Sequence, residues 1–177
     1  MIHKAKPMQG KPIRESHSEL SELALPNDAN GLNTLLGGKI MRLVDIAGAL
    51  SAVRHCRCFC VTASFDQMDF LEPVHIGNLV ALRASVNRAF RTSMEVGVKV
   101  FAEDLRAARK RHVASAYLTF VAVDANHETV PVPPAIPETE EEKRRYEEAG
   151  ERRAQRLARR RRSGRTGPDS PPANKQR

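Results

Sequence analysis

The stretch Asn30-Gly-Leu-Asn-Thr-Leu-Leu-Gly-Gly-Lys-Ile-Met-Arg-Leu-Val-Asp45 starts in a loop and ends two turns inside a helix. The residues Asn27 to Gly31 are Asn, Asp, Ala, Asn and Gly, a cluster that suits a loop with positions at positive φ. From Leu35 to about His55, apolar residues fall at Leu36, Ile40, Leu43, Val44, Ala47 and Leu50, which is helical spacing. A second row, Met41, Asp45, Gly48, Ala49 and Ala52, places small residues around one acid. Small residues on a helix admit another backbone or a ligand.

Beyond the helix the period changes to two. Val80, Leu82, Ala84 and Val86 alternate with more polar neighbours, as do Met94, Val96, Val98 and Val100. The runs Phe59 to Phe70 and Val113 to Val123 are also rich in strand formers, and the segment His17 to Pro26 can pair with or cap an edge. The links between strands are short, which implies an antiparallel meander. A long apolar helix followed by about four such strands is an α+β arrangement, with the sheet wrapped around the helix and association covering what stays exposed.

The opening stretch also carries chemistry. A helix N-terminus offers unpaired N–H groups and a partial positive charge, and Gly37 and Gly38 leave room for a carbonyl oxygen to reach them. Asp45 can serve as general base toward water or attack directly. Asn30 can orient a carbonyl or water, and Thr62, on the following strand, can hold the water. The chain has no nucleophile elbow, so a hydrolase built on it must rely on the carboxylate. Each residue also has a plainer reading: a solvated helical Asp, a turn-forming Asn and a strand Thr.

A chain of 177 residues with 41% hydrophobic content can bury one core. The net charge of +8 is concentrated at the end, since residues 138–177 hold 13 Lys/Arg and 8 Asp/Glu. Three regions are expected: a mobile lead over 1–16, a domain over 17–133, and a Pro linker with a charged tail over 134–177. Within the tail, Glu138 to Arg162 reads as a helix charged all round and solvated, with disorder from Ser163 onward. Nucleic acid is not the expected partner of the run Arg159 to Arg162, which lacks interleaved aromatics. No apolar run is long enough to span a membrane, and the N-terminus has no apolar secretory core, so a cytosolic location is expected. The lead is basic but poor in Arg and Ser, which argues against a transit peptide. Cys56, Cys58 and Cys60 would share one face of a strand, and their spacing is too short for a standard zinc pair; they are expected to be small buried thiols with no metal, a redox or metal role being the lesser alternative.

The motif Asp28-Ala-Asn30, then Gly37-Gly38, then Asp45, resembles the signature of hotdog-fold acyl-CoA thioesterases, in the acyl-CoA hydrolase branch. The segments Val61 to Val74 with Gly77, and Leu118 to Asp124, are similar to two strand segments of that family, so the likeness covers about residues 17–133. One position departs: the family usually has Gly where this chain has Asn33, and Asn is the next most tolerant of positive φ. The resemblance implies hydrolysis of acyl-CoA to fatty acid and CoA without a cofactor, with Asp45 as base or nucleophile, Asn30 positioning carbonyl or water, and Thr62 holding water. It implies sites shared between subunits, a homodimer as the minimal active unit, and further assembly into hexamers. It also places Arg91, Thr92 and Ser93 against the CoA phosphates, with Arg88 and Arg111 as weaker candidates, and Met41, Met68 and Met94 along the acyl tunnel. A non-enzymatic acyl-CoA sensor acting through its basic tail is the alternative. A hotdog hydratase is disfavoured because its Asp/His arrangement is missing near the helix.

Overall fold

The computed structural model describes residues 8–162. The expected disorder after Ser163 lies outside them, as do the first seven residues of the lead. Two short strands, β1 (Lys11–Pro12) and β7 (Ala135–Ile136), pair in parallel. The other strands form one antiparallel sheet: β2 (Ser18–Leu23), β3 (Phe59–Phe70), β4 (Leu79–Ala89), β5 (Ser93–Asp104) and β6 (Arg109–Val123). The helices are α1 (Gly37–Cys56) and α2 (Glu140–Arg162). No helix among the described residues is long and apolar enough to cross a membrane.

Ile40, Leu43, Val44, Ala47, Ala52 and the strand side chains Val86, Val96, Val98 and Phe120 make a continuous core, so the sheet curls around α1 as expected. Gly48 is what lets them meet. A Cβ there would stand 2.9 Å from the Phe120 ring, so the small-residue row serves strand packing at this point. Arg57, left-handed at φ 59°, ends α1 by returning its N–H to Val53 O at 2.8 Å.

The strand order β2-β4-β5-β6-β3 corrects the simple meander. β4, β5 and β6 do follow one another, but β3 pairs with β6 and forms an edge, not with β4. The link over 71–78 crosses beneath the start of α1, where Leu35 N–H bonds Val74 O at 2.8 Å.

The termini also differ from expectation. From Lys11 the lead is pinned: Ile13 and Ser16 are buried, and Ser16 Oγ accepts the Val86 N–H at 2.9 Å. The charged helix is not solvated all round. α2 lies on the sheet face opposite α1, with Ala149 fully buried, Arg152 bonded to buried Glu95, and Arg156 paired with Asp66. The side chains of Arg156 and Asp66 are only 7% and 4% exposed. Polar strand residues on the outer face recruit a polar helix, which apolar periodicity cannot reveal. α2 begins with a capping box: Thr139 Oγ accepts the Glu142 N–H at 3.2 Å, and Glu142 accepts the Thr139 N–H at 3.1 Å.

Candidate active site

Residues 30–34 fold into a tight loop on the Asn30 side chain. Asn30 Oδ1 accepts the N–H groups of Leu32 and Thr34 at 2.9 and 3.1 Å, and its Nδ2 donates to Thr34 Oγ1 at 2.8 Å. Asn33 takes φ 56°, the left-handed conformation that Asn tolerates in place of Gly. Asp28 ties this loop to α1: its carboxylate meets Lys39 Nζ at 3.0 Å, and its carbonyl accepts the Leu36 N–H at 2.9 Å. The first acid of the motif thus anchors the loop.

Gly37 and Gly38 are the first residues of α1, so their N–H groups have no intrahelical acceptor. A Cβ at Gly38 would meet nothing within 4 Å, which leaves the approach to these donors open. Beside them is a hollow of about 270 Å³ lined by Leu35, Gly37, Ile40, Phe70 and Val74 among others. A helix N-terminus above an apolar hollow suits a polar carbonyl on an apolar chain.

Asp45 is half-buried two turns further on. Thr62 Oγ1 donates to Asp45 Oδ1 at 2.6 Å, joining α1 to β3. The β3–β6 register shifts directly after Thr62, between Thr62 and Ser64, and a bulge there re-aims neighbouring side chains. The structure therefore brings Asp45 and Thr62 together. Asn30 is not with them: among the described residues its side chain bonds Leu32 and Thr34, within its own loop.

Arg91 is exposed at the turn between β4 and β5, whereas Thr92 and Ser93 are fully buried. Arg153 of α2 donates to Ser93 Oγ at 3.2 Å and stacks over Phe90. The weaker candidates are occupied structurally. Arg88 lies over the Tyr146 ring at 4.2 Å, and Arg111 bonds Glu72 at 2.6 Å. Of the tunnel methionines, Met94 is fully buried, Met68 half-buried and Met41 exposed. A larger groove, about 410 Å³, lies on the outer face of the sheet beside α2 and contains none of Asn30, Asp45 or Thr62.

Cys56, Cys58 and Cys60 do not share a strand face as expected, because Cys56 ends α1, yet their sulfurs converge and are half-buried. Hydrogen bonding from Cys60 holds the Cys56 thiol down at about 6. Burial pushes Cys58 up to about 12, and the bond to Cys56 pushes Cys60 upward.

The thioesterase superfamily profile matches residues 32–108. An uncharacterised acyl-CoA thioester hydrolase of Bacillus subtilis is 43% identical over 150 residues, covering 85% of this chain and 87% of its own. The chain belongs to the thioesterase superfamily. Among solved structures, an apo-hexameric acyl-CoA thioesterase matches this thioesterase with a TM-score of 0.83 at 39% identity, over 86% of this chain and 97% of its own. The Staphylococcus aureus acyl-CoA hydrolase, solved as an Asp-to-Ala variant, matches at TM-score 0.82 and 35% identity, over 90% and 96% of the two chains. That enzyme has also been solved as Asn-to-Ala and Thr-to-Ala variants. Its Asn, Asp and Thr stand 15 and 17 residues apart, the same separations as Asn30, Asp45 and Thr62 here.

Proposed function

We propose that this thioesterase hydrolyses acyl-CoA to a free fatty acid and CoA, with Asp45, Thr62 and Asn30 as its catalytic residues. The observation that carries the reading is the Thr62–Asp45 bond of 2.6 Å. Thr62 spends its proton on Asp45 Oδ1, so its oxygen lone pairs are free to accept from a water. That water faces the carboxylate, which takes its proton as the oxygen attacks the thioester carbonyl. The oxyanion draws on the Gly37 and Gly38 N–H groups of the subunit that also brings Asn30, since within one helix they lie about 10 Å from Asp45. The C–S bond then breaks, and the departing sulfur leaves as the CoA thiol once protonated. Direct attack by Asp45, with water opening the resulting anhydride, uses the same groups. Neither route calls on a metal or cofactor.

Asn30 completes the site from a second subunit. One N–H of its Nδ2 is committed to Thr34, which leaves the other to donate to a carbonyl or water. A homodimer is then the minimal active unit, and the hexameric relative supports further assembly. Arg91 serves as the exposed cation for the CoA phosphates, while Thr92 and Ser93 shape its turn from beneath. The sensor alternative is weakened because Arg152 and Arg156 of the basic tail are committed to Glu95 and Asp66. The test is CoA release from acyl-CoAs of graded chain length by wild type and Asp45→Ala. Turnover by wild type and its loss in the variant is the expected outcome. Absence of turnover in wild type on every chain length, or full activity in Asp45→Ala, defeats the reading.

A further inference from the structure

Cys56, Cys58 and Cys60 take no part in the proposed hydrolysis. Cys56 is the last residue of α1, Cys58 stands in the turn, and Cys60 is the second residue of β3. The left-handed backbone at Arg57 turns the chain so sharply that the three side chains point to one place. The Cys56 and Cys58 sulfurs are 3.0 Å apart, those of Cys56 and Cys60 3.2 Å, and all three lie within 4.8 Å of one another.

We propose that Cys56, Cys58 and Cys60 form a three-thiolate site for a thiophilic metal ion of the Zn²⁺, Cd²⁺ or Cu⁺ class. Three sulfurs held about 2.3 Å from one ion stand roughly 4 Å from each other. The separations of 3.0 and 3.2 Å from Cys56 are shorter than that value, so side-chain rotations that spread the sulfurs by about 1 Å admit an ion between them. Soft thiolates select such ions over Mg²⁺ or Ca²⁺. Binding replaces the remaining S–H protons with the metal and releases them to solvent, with no change of oxidation state. Lys11, whose Nζ bonds His55 O at 2.8 Å, brings positive charge to the negative triad. Among the described residues no fourth Cys, His, Asp or Glu joins the cluster, so solvent or an added thiol fills the open position. Cys60 and Thr62 lie two apart on one strand with unbroken register between them, so they share a face and the site borders the proposed catalytic pair.

The reduced, metal-stripped full chain is titrated with Cd²⁺ while sulfur-to-cadmium charge-transfer absorbance is followed. Saturation at one ion per chain is expected. Loss of a direct ligand in Cys56→Ser, Cys58→Ser or Cys60→Ser weakens binding by more than the ~10–100-fold typical of an outer partner. Because a Ser variant can misfold, a second measurement uses the unaltered chain: Zn²⁺ should protect all three thiols from alkylation. Absence of the charge-transfer band, Cd²⁺ affinity unchanged in the three variants, or alkylation undiminished by Zn²⁺ each overturns the site. So does conversion to a disulfide by hydroperoxide in a chain that never binds Cd²⁺.

Discussion

At the residue scale, function and stability separate cleanly. Asp45→Asn keeps the shape of the side chain and removes its basicity, so steady-state CoA release should fall by ~10²–10⁴-fold. Denaturant midpoints should barely move, since Asp45 is only half-buried. Gly48→Ala does the reverse. Its Cβ would stand 2.9 Å from Phe120, and such overpacking costs about 1–3 kcal/mol, readable in urea unfolding. His55 adds a pH dependence. Burial lowers its pKa, and Nε2 bonds Pro133 O at 2.8 Å. Since the folded pKa lies below the unfolded value of ~6.5, the unfolded chain binds more protons in this range. The contribution is complete above the unfolded value and is lost as pH falls toward the folded one. Denaturant midpoints measured from about pH 7.5 down to about pH 5 should therefore decline more in wild type than in His55→Gln.

At the element scale, α2 decides what happens when the tail is altered. Arg156→Ala strands the Asp66 carboxylate in a buried site, which costs ~3–5 kcal/mol. Unfolding midpoints should show that loss, and a second change, Asp66→Asn, should recover part of it. The helix itself is legible in sequence, and so is its capping box, because Thr139 and Glu142 stand three apart. Its docking is not legible by hydropathy, because the docked face is Arg and Glu. The only hint is Glu95 and Asp66 sitting mid-strand with arginines spaced four apart in the tail. α1 behaves differently: apolar spacing and the glycine pair place it to within two residues at its start. The pairing of β3 with β6 was hidden because link length tells nothing of which side of α1 the chain passes. The Asp45–Thr62 pair needed the fold as well as the motif, since it joins a helix to an edge strand.

At the scale of the whole molecule, one chain is unfinished. Met41, Leu50 and Val53 of α1 and Phe59, Val61 and Phe70 of β3 are exposed, and β3 is an edge with unpaired backbone groups. Exposed apolar area beside an open strand edge calls for a partner. Among the described residues of one chain Asn30 bonds within its own loop while Asp45 bonds Thr62, and the function proposed above has the catalytic set close across subunits. The most direct measurement mixes chains: Asn30→Ala and Asp45→Ala are prepared separately, then co-assembled, and CoA release is followed. Each mixed dimer has one site with both substitutions and one with neither, so the mixture should regain turnover that both parents lack. A mixture as inactive as its parents, or a parent active alone, would contradict the shared site.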